Sequence, residues 1–228
     1  MGLSLAAAAL SIAAIAGSIA HIGRGFPGFI VWDNLVVVAL GRPGWSGIAA
    51  EVPFRSRVVA VDDHTVRSRG ELTARLEAQP VGTVHAYTFE TVEGREARAV
   101  PSMIFTLGDY VATMGVYALN GLVFLVAGLA VFYLKPESRQ ARALLAFGVV
   151  YGLMAVVCVD LFTAGRLDPV YFIVQGLCPA ALLHLALTFP EPRRPVKRSG
   201  RMLGWLYGAG LAAGLLEVAL YRRSYSAL

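Results

Sequence analysis

The sequence predicts a membrane α-helical bundle of about five transmembrane helices, with one small α+β domain inserted after the first. Three observations predict it. Of 228 residues, 57% are apolar and only 15% charged, and the mean hydropathy is +0.62, too hydrophobic for a soluble domain. The apolar residues gather in five runs near the length that crosses a bilayer. The one long polar stretch, 21–109, instead carries runs of β-branched, aromatic and alternating residues between turn signals.

Residues 1–20 supply the first run: Leu3 to Ala20 is apolar or small throughout and carries no charge. A cleaved signal peptide is the rival reading. The stretch lacks a basic n-region and exceeds a usual signal core, which favours an uncleaved span.

The inserted domain follows. Gly28–Trp32 and Leu35–Leu40 are β-branched and aromatic runs separated by the turn pair Asp33-Asn34, and predict two strands. Gly41-Arg42-Pro43-Gly44 opens a loop. Arg57–Val61 predicts a third strand, turned by Asp62-Asp63-His64. Glu71–Leu76 has leucines four apart, as a short helix with one buried stripe requires, and Gln79-Pro80-Val81-Gly82 ends it. Val84–Phe89 alternates strictly, and Glu93-Gly94 turns the chain into a last strand near Ala97–Pro101.

That order of elements resembles a PDZ-like domain of the bacterial kind over roughly Phe26 to Pro101. The matching residues are Phe26-Pro27-Gly28-Phe29, then Val58-Val59-Ala60-Val61-Asp62-Asp63 with Val66, and Pro80-Val81-Gly82-Thr83 before the hairpin. Two positions depart from the family: its Gly-Asp before the third strand is Arg55-Ser56-Arg57, and its Gly after Val-Asp is Asp63. The resemblance implies a groove in which an extended peptide adds as a strand while loop amides hold its carboxylate. It further implies Gly28 and Phe29 as amide donors, Ile30 and Val31 as the pairing edge, and Leu72 and Leu76 as the opposite wall. The competing reading is a groove filled by the domain's own loop or packed on the bilayer.

The region 110–228 predicts four more spans, 110–134, 143–164, 170–189 and 202–221, with the third and fourth spans of the chain joined by the tight turn Gly165-Arg166-Leu167-Asp168-Pro169. Charge gives their orientation. The 21–109 stretch has net charge −1, whereas the linkers 135–142 and 190–201 carry +2 and +4, so the basic balance belongs to membrane-edge loops rather than a nucleic-acid face. The basic linkers are expected in the cytoplasm of a bacterial inner membrane. The domain and the 165–169 turn are then outside. Arg222-Arg223 falls on the outer side against that trend, and an odd number of spans suggests the front part of a longer chain.

Polar residues inside spans are functional candidates by default. Asp160, a turn from the outer surface, is expected to be hydrated there. Asn120 and Gln175 are expected to hydrogen-bond between helices, and His184 to serve as an interhelical donor. Pro179 is expected to kink its span. Gly121 and Gly128, or Gly204, Gly208 and Gly210, would let helices approach, with Gly204-x-x-x-Gly208 as a small-residue match. Cys158 and Cys178 read as buried free thiols.

No catalytic chemistry is expected. The histidines His21, His64, His85 and His184 lack metalloprotease spacing, the later spans contain no Ser nucleophile, and no phosphate-binding loop occurs. Asp62-Asp63-His64 reads as a turn rather than a metal site, and no cofactor or metal is expected. The expected partners are the lipid bilayer, an extracytoplasmic peptide or protein ligand and a second copy in a homodimer, without nucleic acid.

The whole layout also has a likeness. A first span, an outer PDZ-like domain, and close-set spans edged by Leu134-Lys135-Pro136-Glu137-Ser138-Arg139-Gln140-Ala141-Arg142-Ala143-Leu144-Leu145 and Leu187-Thr188-Phe189-Pro190-Glu191-Pro192-Arg193-Arg194-Pro195 resemble the N-terminal input region of bacterial membrane sensors. ComP-like quorum-sensing histidine kinases are an example. The resemblance implies a sensory input module of a two-component system, whose output domain would lie past residue 228. The alternative is a membrane scaffold that recruits partners without signalling.

Overall fold

The computed structural model describes residues 2–190 and 200–226. The chain divides into two compact units. One comprises Met1–Ala16, Tyr117–Asp160 and Arg166–Leu228; the other comprises Gly17–Val116 with Leu161–Gly165.

In the first unit α1 (Gly2–Ile19), α5 (Val116–Leu134), α6 (Arg139–Leu161), α7 (Asp168–Thr188) and α8 (Gly200–Ser226) form a helical bundle. Four helices are long and apolar enough to cross a membrane: Leu107–Leu134, Arg139–Leu161, Asp168–Thr188 and Arg201–Tyr221. The predicted first span is α1 itself, an 18-residue helix whose apolar stretch among the described residues is Ser4–Ile19. Each of the five expected spans is thus a helix, and four of them meet the length and composition of a crossing among the described residues. Ala7 and Ala14 of α1 pack with Leu125, Leu153, Val156 and Val174.

Missing side chains bring these helices together. A Cβ at Gly121 would lie 2.5 Å from the Gly152 carbonyl, and one at Gly148 would lie 2.6 Å from the Phe124 carbonyl. On α7 and α8, a Cβ at Gly176 would lie 2.5 Å from Gly214 N and 2.6 Å from the Gly210 carbonyl. The predicted Gly204-x-x-x-Gly208 match makes no such approach, since a side chain at either glycine would meet nothing within 4 Å. The spacing that packs is Gly210-x-x-x-Gly214, one helical face away.

The second unit is α+β. A four-stranded antiparallel sheet has the order β3-β2-β4-β5, from β2 (Arg57–Val61), β3 (His64–Thr65), β4 (Val84–Thr91) and β5 (Gly94–Pro101). A second sheet pairs β1 (Gly25–Phe26) with β6 (Met103–Ile104). Helix α3 (Arg69–Glu77) buries Leu72 and Leu76, against a core that includes Phe29, Leu35, Val58, Tyr87, Phe89 and Val100. The alternation in β4 buries His85, Tyr87 and Phe89 on one face.

Two turns carry the expected chemistry. Asp62 and Asp63 both have positive φ, 49° and 62°, linking the paired residues Val61 and His64, the left-handed pair of a tight hairpin turn. Asp33-Asn34 turns the chain through a Leu35 N–H to Trp32 carbonyl bond of 2.9 Å, with Asn34 Oδ1 accepting from Val36 N–H. The runs flanking it are not the regular strands expected. They touch through the single bridge Val31–Val37, and Val36 bridges to Arg57. Leu35, at φ 63°, breaks the extended run just past the turn.

The approach to the second span is braced. Short helix α4 (Leu107–Tyr110) opens with a capping box between Thr106 and Asp109. Asp109 Oδ1 also accepts from Trp45 Nε1 at 2.9 Å and Arg42 Nη1 at 3.1 Å, fastening the 41–45 loop to this helix start. A π-helical turn, Val111–Gly115, follows. The Thr113 hydroxyl donates to the Asp109 carbonyl at 2.6 Å, occupying an acceptor that the wider turn would otherwise leave without its usual partner.

Candidate functional site

A cleft of about 100 Å³ lies in the α+β unit, between the Gly25–Val31 segment and α3. Its two walls are the segments that the PDZ-like resemblance sets opposite each other. Leu72 and Leu76 sit four apart on α3, whose start is set by Ser68, the Oγ of which accepts from Glu71 N–H. Glu71 in turn accepts from Arg67 N–H at 2.8 Å. The opposite wall is Phe29, Ile30 and Val31. Five of the six expected residues therefore line one cleft.

Gly28 is the exception. Its φ is +75°, its carbonyl accepts from Gly47 N–H at 3.1 Å, and a Cβ there would collide with Ser46 Oγ. Gly28 lets the chain press against α2 (Ser46–Ala49), and it does not line the cleft.

The backbone edge is also phased differently from the expectation. Val38 N–H donates to the Ile30 carbonyl, and Trp32 N–H to the Val36 carbonyl. Ile30 thus spends its carbonyl on the 36–38 segment, and strand alternation turns the polar groups of Phe29 and Val31 toward α3. Phe29 N–H and Val31 N–H donate no hydrogen bond among the described residues. The Val31 carbonyl lies 3.4 Å from Arg69 Nη1. The amides left without a bond on this segment among the described residues are those of Phe29 and Val31, and Ile30 contributes its side chain to the cleft.

Residues that periodicity did not single out complete the cleft. Phe26, Phe105 and Met114 make it apolar, and Arg24, Arg69, His21 and Glu77 give it a polar margin. Arg24 and Glu77 pair at 3.5 Å with both side chains about half exposed, a weak surface interaction. Arg69 is different. Its side chain is 12% exposed and forms an ion pair with Asp33, and its Nη1 donates to the Leu161 carbonyl at 3.1 Å. Phe162 and Thr163, from the segment joining α6 to α7, line the cleft. Gly165 has φ +63°, and a Cβ there would meet Arg69 and lie 2.5 Å from Asp33 Oδ2. Only glycine fits that close pass.

On the neighbouring hairpin Asp62 anchors β4. Its carboxylate accepts from His85 Nδ1 at 2.7 Å and from Ala86 N–H at 2.9 Å. Burial alone would push this carboxyl up; the His85 and Ala86 hydrogen bonds outweigh it and hold it below the usual carboxylate range. Asp62-Asp63-His64 is thus a turn whose first carboxylate is structurally engaged.

The intramembrane candidates separate. His184 Nδ1 lies 3.0 Å from Tyr207 Oη, joining α7 to α8 as an interhelical pair. Asp160 is 2% exposed rather than hydrated, and its Oδ2 accepts from Leu167 N–H at 2.7 Å. Asn120 is exposed and Gln175 half-buried, and neither makes a side-chain hydrogen bond among the described residues. Pro179 stands within α7, which continues through it. Most of the 190–201 linker and the side chains of Arg222 and Arg223 lie outside the described residues.

No protein-family model matches this sequence, and no curated protein matches it.

Proposed function

We propose that this chain is the sensory input module of a bacterial inner-membrane signalling protein. Its PDZ-like, extracytoplasmic domain binds a peptide or protein ligand in the cleft between Phe29–Val31 and α3. Occupancy is passed to the spans through the turn joining α6 and α7.

One observation carries this reading: Phe162 and Thr163 line the same cleft as Leu72 and Leu76. Anything that enters the cleft meets side chains covalently continuous with two candidate spans, and Arg69 fastens that connection to Asp33. A ligand acts on a switch only through differential contact with its states, and a ligand in this cleft would touch the segment joining two candidate spans. Basic-residue asymmetry adds support, because it assigns the domain and this turn to one side of the membrane. Asp63, where the PDZ-like pattern has glycine, adopts the left-handed φ of 62° that glycine would favour.

Size narrows the ligand. The cleft of about 100 Å³ is well below the roughly 300–1,000 Å³ typical of drug-sized sites. It admits one apolar side chain of an extended segment, with the free amides of Phe29 and Val31 available for backbone pairing.

The test uses the full chain in nanodiscs. A displayed peptide library is panned against wild type and against Thr73→Trp, which fills the cleft from the half-buried face of α3. Peptides enriched on wild type should lose at least ten-fold in affinity on the variant. The best of them should also change hydrogen exchange in 161–165. Binding without that change favours the scaffold reading, and equal binding to both proteins removes the cleft as the site.

A further inference from the structure

β5 ends the four-stranded sheet, and no strand lies beyond it among the described residues. Its hairpin with β4 closes through the pair Thr91–Gly94, and the register continues as Phe89–Glu96, Tyr87–Arg98 and His85–Val100. Two-residue hairpins close on a hydrogen-bonded pair, so these even-numbered positions of β5 exchange their bonds with β4. Ala86 bears out the phase from the other side, since its N–H and carbonyl turn away from β5 to meet Asp62. The backbone groups of Arg95, Ala97 and Ala99 therefore point off the sheet edge, where the Ala97 carbonyl accepts from Arg98 Nη1 of its own chain at 3.1 Å and the Ser46 hydroxyl of α2 caps the far end at the Pro101 carbonyl. None of their three amides donates a hydrogen bond among the described residues.

We infer that this edge is a homodimerisation surface, pairing antiparallel with β5 of a second copy about a two-fold axis at Ala97. Charge selects that register among those the edge allows. Centring on Glu96 sets Glu96 against itself, and centring on Arg98 sets two guanidinium groups together. Centring on Arg95 or Ala99 shortens the ladder, and Pro101 has no N–H to extend it. Centring on Ala97 places Glu96 of each copy opposite Arg98 of the other, at non-hydrogen-bonded positions where cross-strand side chains come closest.

The two side chains already share a face, pairing within one strand at 2.7 Å. Across the axis each would keep a partner of opposite sign. Ala97 and Ala99 are exposed and small, and present no bulk against approach. The pairing would form about six backbone hydrogen bonds, two at each of three narrow pairs, once Arg98 turns from the Ala97 carbonyl to Glu96 of the other copy. Edge charges commonly keep strands apart. Here the pattern is self-complementary, because its two signs are related by the axis itself.

The experiment measures the dimer fraction of the full chain in detergent by sedimentation, with charge reversals at both positions. Glu96→Arg or Arg98→Glu alone should weaken dimerisation at least ten-fold, and the double swap should restore it. Independently, Ala97→Cys, in a chain whose Cys158 and Cys178 are replaced by alanine, should cross-link to its own copy. Val92→Cys, at the fully exposed hairpin tip, should not. The Ala97 variant keeps both charges and decides the matter if a reversal unfolds the hairpin. A monomeric wild type, dimers that survive both reversals, failure of the double swap, or equal cross-linking at 92 and 97 would each overturn the proposal.

Discussion

The two units are held together by opposite means. In the α+β unit, large side chains fill space: Trp45, Tyr87, Phe89, Leu35 and Leu72 are almost wholly removed from solvent. In the helical unit the closest approaches occur where side chains are lacking, at Gly121 with Gly152 and at Gly176 with Gly210 and Gly214. Water drives the first arrangement, because burying apolar area is favourable only relative to an aqueous alternative. Lipid offers helices no such drive, so they associate through close backbone approach. A residue's worth is therefore read from its volume in one unit and from its lack of volume in the other.

The largest expected effect sharpens that contrast. Gly176→Leu forces α7 and α8 apart, since even its Cβ falls at 2.5 Å from backbone that cannot yield locally. Overpacking of this kind costs about 3 kcal/mol. Gly204→Leu, on the same α8, enlarges a position with nothing within 4 Å and should leave stability unchanged. Thermal unfolding of the detergent-solubilised chain measures both. Equal destabilisation by the two would remove glycine packing as the basis of the α7–α8 contact.

That pair also marks how far the sequence could be read. Alternation along 84–89, the leucine spacing of α3 and the Asp62-Asp63 turn are local patterns, and the structure carries each of them. The span positions were equally local, and each expected span coincides with a helix. The small-residue spacing was readable but not its direction: Gly204-x-x-x-Gly208 and Gly210-x-x-x-Gly214 look alike as text, and only the helix's rotation decides which faces a neighbour. At the candidate cleft, the leucine stripe of α3 followed from the helix period, whereas setting it opposite Phe29–Val31 came from the PDZ-like resemblance. Arg69 did not, because its acceptor Leu161 lies 92 residues away and an arginine at a helix start looks like a solvated one. Gly28 was misassigned for a related reason: a turn glycine signals a close approach without saying to what, and here the approach is to α2.

A smaller effect tests the space-filling core from within. Tyr87 is fully buried, and its hydroxyl has no hydrogen-bond partner among the described residues. Burial, reinforced by the Asp62 charge, pushes that hydroxyl up, so it stays protonated. An unsatisfied buried donor opposes folding, whereas the ring packs against Phe29 at 5.1 Å between centroids. Tyr87→Phe keeps the ring and removes the hydroxyl, and should raise stability by about 1 kcal/mol. A loss of stability in chemical denaturation would mean that the hydroxyl does have a partner, such as a bridging water.

The smallest effect separates the units by pH. Asp62 lies in the α+β unit and is held below the usual carboxylate range by His85 and Ala86 after burial has pushed the other way. A carboxyl lowered by folding contributes stability that is present above its unfolded value, near 3.9 for aspartate, and is lost as pH falls from there through its folded value. Its side chain is 40% exposed, so solvent screening keeps the contribution below about 1 kcal/mol. Asp62→Asn cannot titrate, so between pH 7 and pH 3 its β4–β5 amides should lose less hydrogen-exchange protection than those of wild type. The helical bundle has no part in this interaction, and its exchange should respond to acid alike in both proteins. Identical acid responses of the hairpin in the two proteins would show that the carboxylate does not anchor β4.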